Sequence, residues 1–483
     1  MVNLDLSNYS HAHFIGIGGI SMSGLAEILM LRGMRVSGSD VLQTEITRHL
    51  KSLGINITVP QCADNIEGTT DIVIYTAAVK KDNPEILEAE RRNLKIIDRA
   101  QLLGLLMEEY SYPICISGTH GKTTTTSMVS EIFLSAGNNP TISSGGIIPS
   151  LGSSFNVGSK DAFIVEACEY FNSFLKFYPK IGVILNIDAD HLDFFGGMRE
   201  LENAFNLFAK NIKSYGECRS GAGRNSECHS GTDTGGTLII NNQIPNISHI
   251  LNGVECNIVT FGNKHADFYA DDFMVKGGLP EFSVYFRGEK LVRVSLNVPG
   301  EHNVMNALAA FAAAYEYGLS PDEIAKGLSA FKGAKRRYEF KGTFNGGAVI
   351  IDDYAHHPTE VEATLNTVKQ IAPGKIICLF QPHTYSRTEK LFDDFVKALS
   401  IADEVYILDI YAAREQNNKG IGSKDLVLKI NEKQEGKAKY FSGFSEAEKY
   451  FLKSCIPSDM LITMGAGDVN VVGENILSTE LST

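Results

Sequence analysis

The sequence predicts an α/β protein made of three consecutive blocks. A length of 483 residues exceeds what one hydrophobic core organises and suggests about three domains. Short apolar runs alternate with helical patterns throughout, as in parallel sheets joined by helical crossovers. Two glycine-rich turns, one after Ile15 and one after Ser117, each join a strand-like run to a helical one.

The first block opens at Ala12. His13–Ile17 reads as a strand, Ser21–Arg32 as a helix, and Met34–Gly38 and Asp71–Tyr75 as later strands. A second block starts at Tyr112-Pro113-Ile114-Cys115-Ile116, which places a boundary near residue 110. Its strands include Asp161–Glu166, Ile181–Leu185 and Leu238–Ile240. The third block follows the helix exit Phe331-Lys332-Gly333. Its strands are Gly347–Asp352, Ile376–Phe380, Glu404–Leu408 and Met460–Met464. One stretch, residues 216–236, has no apolar periodicity and is dense in Gly, Ser, Thr and Asn. Cys218, Cys228 and His229 could hold a metal there, but the composition reads as a disordered surface insertion.

A net charge of −13 argues against a nucleic-acid binder, which needs a basic face. No apolar run reaches the roughly 20 residues of a membrane-spanning helix, and Met1–Asp5 lacks the regions of a secretory signal. A cytoplasmic protein without a membrane partner is expected. The eight cysteines form no Cys-x-x-Cys pair, and several sit in apolar runs as small buried hydrophobes.

The strongest chemical signal is Gly118-Thr119-His120-Gly121-Lys122-Thr123-Thr124, between a buried strand and a helix. Glycines let backbone wrap a phosphate, and helix N–H groups point at the anion. Lys122 is placed to reach the β- and γ-phosphates of ATP, and the Thr123 hydroxyl to ligate Mg²⁺. Ile116 stands where the strict P-loop pattern has its first glycine. Glu166 ends one later strand, and Asp188, Asp190, His191 and Asp193 follow another. In parallel sheets the carboxyl ends of strands face the ligand crevice, so Glu166, Asp188, Asp190, His191 and Asp193 converge with Thr123 on a candidate metal site. Near the N-terminus, Gly16, Gly18, Gly19 and Ser21, with Asp40 some twenty residues on, suit a diphosphate and a ribose; NAD and a UDP-sugar satisfy that chemistry alike. His302, Asn303 and Asn306 open a helix and could meet a nucleotide base. Tyr354, His356, His383 and Arg387 follow two strand ends of the third block.

Taken together the motifs resemble the Mur ligases of peptidoglycan assembly. They are GIGGISMSGLA at 16–26, SGTHGKTTTT at 117–126, NIDADHLD at 186–193, PGEHNVMNALAA at 299–310, KRRYEFKG at 335–342, DDYAHHPTE at 352–360 and FQPHTYSRT at 380–388. The last two point to the alanine-adding branch. The resemblance implies a Rossmann-like domain at 1–108 for UDP-N-acetylmuramate and an ATP-binding domain at 109–333. It also implies a Rossmann-like C-terminal domain at 334–483 that closes over ATP and presents L-alanine. By motif, Lys122 and Thr123 contact phosphate and Mg²⁺, and Glu166 and His191 serve the metal. His302, Asn303 and Asn306 lie by the adenine, and Arg336 and Arg337 match nucleotide or substrate contacts, with Arg336 assigned to ATP. Tyr354, His356, His383 and Arg387 serve the amino acid, His356 or His383 assisting loss of the amine proton. A recycling ligase that attaches a preformed tripeptide to the same sugar is the alternative. Glu166-Ala-Cys-Glu-Tyr-Phe departs from the family's Glu-Ala-Asp-Glu-Ser-Asp, and residues 216–236 have no family counterpart.

Overall fold

The computed structural model describes residues 4–76, 78–190, 192–212, 235–413, 415–417 and 420–480. His191 lies outside them, as does the expected insertion apart from its last two residues, Cys218, Cys228 and His229 included.

Each sequence block folds around its own sheet. The first holds β1 His11–Ile15, β2 Arg35–Ser39, β3 Asn56–Thr58, β4 Ile72–Tyr75 and β5 Lys95–Asp98, in the order β3-β2-β1-β4-β5. All four pairings are parallel. β1 sits at the centre with every residue buried, and it stops at Ile15 because Gly16 turns to φ +80°. The next helix therefore begins at Ile20 and runs to Leu31.

The second sheet comprises β6 Tyr112–Ser117, β7 Pro140–Ile148, β8 Ser153–Asn156, β9 Ser159–Glu166, β10 Ile181–Ile184, β11 Thr237–Asn241, β12 Asn257–Gly262, β13 Phe268–Lys276, β14 Leu279–Phe286 and β15 Glu289–Ser295. Its order is β15-β14-β13-β12-β11-β10-β6-β9-β7-β8. β9, β6, β10, β11 and β12 are parallel neighbours, so their carboxyl ends share one edge. The third sheet holds β16 Glu339–Phe344, β17 Ala348–Asp353, β18 Ile376–Phe380, β19 Glu404–Ile407, β20 Ala438–Tyr440 and β21 Met460–Met464, in the order β16-β17-β21-β18-β19-β20. Only the β16 edge is antiparallel.

The chain forms two compact units, 1–271 with 283–294 and 306–330, and 272–282 with 295–305 and 331–483. The boundary expected near residue 110 falls inside the first unit, where one buried cluster runs from Ala12 and Phe14 through Phe163 and Phe208 to Cys256. Gly24 shows why the first two blocks adhere. A Cβ there would stand 2.2 Å from the Phe155 ring, so only a bare helix surface lets β8 approach. No described helix is long and apolar enough to cross a membrane.

Candidate active site

β6 enters the P-loop at Ser117, and the helix Lys122–Ser135 leaves it. Gly121 is the N-cap residue in the left-handed region at φ +82°, and a Cβ there would lie 2.5 Å from Asn306 Oδ1. Both constraints call for glycine. Asn306 thus approaches the phosphate loop closely. From the end of β10, Asn186 stiffens the same loop: its carbonyl accepts from Thr119 N at 3.0 Å, and its Oδ1 accepts from His120 N at 2.8 Å. Asp188 N donates to Thr119 Oγ1 at 2.9 Å, and His120 Nε2 lies 3.3 Å from Asp188 Oδ2.

Lys122 lies beneath the loop. Its Nζ donates to Gly118 O at 2.5 Å and Thr119 O at 2.9 Å, and sits 3.0 Å from Glu169 Oε2. Its side chain is only 12% exposed and that of Glu169 1%. Burial is the largest single influence and would lower the pKa of Lys122, but the charge and hydrogen bond of Glu169 together with the Glu166 charge outweigh it and hold the ammonium above its ordinary range. Beside it, Thr123 Oγ1 donates to Glu166 Oε1 at 3.1 Å, and Gly145 N donates to Glu166 Oε2 at 2.7 Å. Two of the three expected metal-site residues therefore meet. Their hydroxyl and carboxylate oxygens are hard donors of the kind Mg²⁺ takes.

At the N-terminal loop most amides are used internally. Gly16 N and Ile17 N donate to Ser39 O at 2.9 and 3.0 Å, and Gly18 N donates to Asp40 Oδ2 at 2.8 Å. Asp40 thus braces the loop at the head of the helix Ile20–Leu31. Gly19 is the N-cap of that helix. Ser21 Oγ accepts from Arg99 Nη1 at 2.9 Å. Burial lowers the pKa of Arg99, while the nearby carboxylates of Asp98 and Glu166 oppose that shift.

The other expected residues belong to the second unit. Asn303 Nδ2 donates to Pro299 O at 2.7 Å, and burial brings His302 down to about 4. Arg336 commits its guanidinium within this unit. Nε donates to Asp352 Oδ2 at 3.0 Å, Nη1 to Gly467 O at 2.9 Å and Nη2 to Gly465 O at 2.8 Å. Arg336 and Arg337 also flank the Tyr354 ring, at 5.1 and 5.2 Å from its centroid. His356 Nδ1 lies 2.9 Å from Tyr354 O and takes the proton, since a carbonyl can only accept. Burial lowers its pKa to about 4, with Glu360 opposing and Arg387 adding to the shift. Arg387 Nη1 donates to His383 Nδ1 at 3.1 Å, and the His356 and His383 rings lie 5.7 Å apart. The sequence motifs 352–360 and 380–388 thus come together at the ends of β17 and β18, the strands on either side of β21.

Comparison with known proteins decides what this constellation belongs to. Residues 11–111 match the family description "Mur ligase family, catalytic domain", 116–314 "Mur ligase middle domain" and 336–467 "Mur ligase, glutamate ligase domain".

The chain is a Mur ligase.

This Mur ligase is 47% identical to the UDP-N-acetylmuramate–L-alanine ligase of Lachnospira eligens over 99% of its own length and 100% of the relative's. Identity to the enzyme of that name from Clostridium novyi is 44%, over 98% of each chain. Among solved structures it is similar to the UDP-N-acetylmuramate–alanine ligase of Thermotoga maritima, with a TM-score of 0.78 at 29% identity over 98% of this chain and 99% of that one. A murein peptide ligase of Psychrobacter arcticus shares the fold, with a TM-score of 0.67 at 23% identity over 97% and 98%.

Sequence reading of this Mur ligase missed Glu169, Asn186, Arg99 and Tyr411 as partners of the expected site residues. Glu169 stood in the quoted strand end, three residues past Glu166, and was legible as a partner for Lys122. Tyr411, whose ring stacks on His383 at 5.7 Å and 17°, carries no local motif.

Proposed function

We propose that this Mur ligase joins L-alanine to the carboxylate of UDP-N-acetylmuramate at the expense of ATP, a cytoplasmic step of peptidoglycan precursor synthesis. The observation that carries the reading is the full-length identity to alanine-adding relatives, reached with the P-loop lysine, its carboxylate partners and the His356–His383–Arg387 cluster in place.

A carboxylate is too poor an electrophile to condense with an amine directly. The muramyl carboxylate attacks the γ-phosphate of ATP, releasing ADP and forming an acyl phosphate. The amine of alanine then adds to the acyl carbon, and phosphate leaves through a tetrahedral intermediate. Catalysis of the first step is positioning and charge neutralisation. Lys122 exchanges its loop carbonyls for phosphate oxygens while Glu169 keeps it charged. A Mg²⁺ ion fits the Thr123 hydroxyl and Glu166 carboxylate, with His191 as a further ligand, and supplies charge neutralisation when bound. By motif, His302, Asn303, Asn306 and Arg336 are the residues assigned to ATP, and of these Asn306 closes on the phosphate loop at Gly121. Gly16, Gly18, Gly19, Ser21 and Asp40 form the anchor for the UDP diphosphate and ribose.

On the amino-acid side Arg387 offers a planar fork to the alanine carboxylate. His356, neutral at pH 7 and with Nδ1–H turned to Tyr354 O, keeps Nε2 as an acceptor for the amine. Phosphate release measured with UDP-N-acetylmuramate across a panel of amino acids tests the reading. Release with L-alanine and none with the murein tripeptide supports it; the reverse pattern assigns the chain to tripeptide recycling.

A further inference from the structure

The loop that carries His383 and Arg387 is held by the chain that follows β19. Tyr411 N donates to Pro382 O at 2.8 Å and Thr384 N donates to Tyr411 O at 2.9 Å, and His383 pairs with Tyr411 as an isolated parallel bridge. The Tyr411 ring also stacks on His383, with 5.7 Å between centroids and 17° between planes. Further on, Glu415 turns its carboxylate onto Ser386. Its Oε2 accepts from Ser386 N at 2.9 Å and its Oε1 from Ser386 Oγ at 2.5 Å.

The backbone shows why this loop needs support from outside. Thr384 sits at φ 64°, ψ 144°, a conformation that β-branched residues avoid, and its side chain does not cap the helix Tyr385–Lys390 that follows. That helix has six residues, too few to be stable by itself, and its first N–H groups have no acceptor within it. Glu415 supplies what Thr384 does not. It takes the Ser386 N–H as a capping side chain would, from 29 positions away in sequence, and its negative charge suits the start of a helix.

Arg387 is the next residue. Its Nη1 lies 3.1 Å from His383 Nδ1, and because a guanidinium can only donate, Nδ1 carries no proton. The aim of the guanidinium is therefore set from two directions: by His383, which Tyr411 holds, and by the helix start, which Glu415 holds. A two-pronged contact tolerates little misplacement of the fork. We infer that Tyr411 and Glu415 are positioning residues of the amino-acid site, acting through His383 and Ser386 to align Arg387 with the carboxylate of the incoming amino acid. This inference rests on the function proposed above, in which Arg387 receives that carboxylate.

Steady-state kinetics with UDP-N-acetylmuramate, ATP and L-alanine test it. Glu415→Ala and Tyr411→Ala are each expected to raise the KM for L-alanine about tenfold and to leave that for ATP within about twofold. Glu415→Gln, which keeps an acceptor for Ser386 N, and Tyr411→Phe, which keeps the stacked ring, are expected to recover most of the loss. In an Arg387→Ala background Glu415→Ala is expected to add little, since it acts through that arginine. Should Glu415→Ala fail to fold, Ser386→Ala removes one of its two contacts and is expected to shift the same KM, by less. An unchanged KM for L-alanine in either alanine variant, an equal rise for ATP, or a full further loss on top of Arg387→Ala overturns the inference. If wild type releases no phosphate with UDP-N-acetylmuramate and L-alanine, it is the functional reading that fails. The nitrogen NMR signal of His383 Nδ1, which reports the Arg387 contact without substrate, then still tests the positioning: it is expected to move in Glu415→Ala, and an unmoved signal overturns it.

Discussion

Lys122 and Glu169 are a buried ion pair, 3.0 Å apart, that ties the phosphate loop to the end of the strand that also delivers Glu166. The lysine is thus half of a structural pair as well as the proposed phosphate ligand, and the two roles separate by mutation. Lys122→Ala is expected to lower ligation by about 10²–10³-fold or more and to lower Tm, because Glu169 is left buried without its partner. Adding Glu169→Gln is expected to recover Tm but not rate. Ligation within tenfold of wild type in Lys122→Ala contradicts the phosphate role.

Thr123 and Glu166 share one hydrogen bond where the metal is proposed to sit. Thr123→Val and Glu166→Gln should each raise the Mg²⁺ concentration for half-maximal ligation, with Tm changed little. A metal requirement equal to wild type in both variants counts against the site.

Arg336 is predicted to matter first for stability. It neutralises Asp352, whose side chain is 1% exposed, and bonds two carbonyls of the 465–467 turn. Arg336→Ala leaves a buried carboxylate unpaired, a loss of about 3–5 kcal/mol in comparable pairs. Thermal unfolding without nucleotide reads this directly. An unchanged Tm would assign Arg336 to the nucleotide alone.

His356 makes stability depend on pH in a defined window. Its folded pKa is about 4 against an ordinary 6.5, with burial the main cause. Between those values the unfolded chain binds a proton that the folded chain refuses, so stability falls as pH drops from about 6.5 to about 4. His302 contributes with the same sign; buried Asp353, raised to about 6, contributes with the opposite one. Denaturant unfolding at pH 7 and pH 4.5 should show a smaller difference for His356→Gln than for wild type. An equal difference means that His356 titrates normally.

Arg387→Ala is expected to raise the KM for L-alanine strongly and that for ATP much less. Arg387→Lys should recover only part, because an ammonium cannot reproduce a two-pronged contact. Glycine and L-serine are expected as slow substrates, since one methyl is worth only about 1–3 kcal/mol of discrimination. Unchanged alanine kinetics in Arg387→Ala would leave His356, His383 and Tyr354 as carboxylate partners.

The sequence by itself determined the α/β class, the P-loop and the family, because these are local. A strand running into Gly118 and Lys122 must present its amides at a helix start wherever it sits. Apolar runs likewise placed Ile376–Phe380 and Met460–Met464 at the bounds found in the structure. Edges were less legible: β16 is antiparallel and β8 is only four residues long, so neither leaves a clear period. Only tertiary structure decided that Asp40 braces Gly18, that Glu169 holds Lys122, and that Arg336 spends its donors on Asp352 and two carbonyls. Those pairings join residues 16 to 131 positions apart, and no residue spacing encodes which partner a buried charge will find. It is the sheet order, with strands such as β6 and β10 brought side by side, that brings Asn186 onto the phosphate loop.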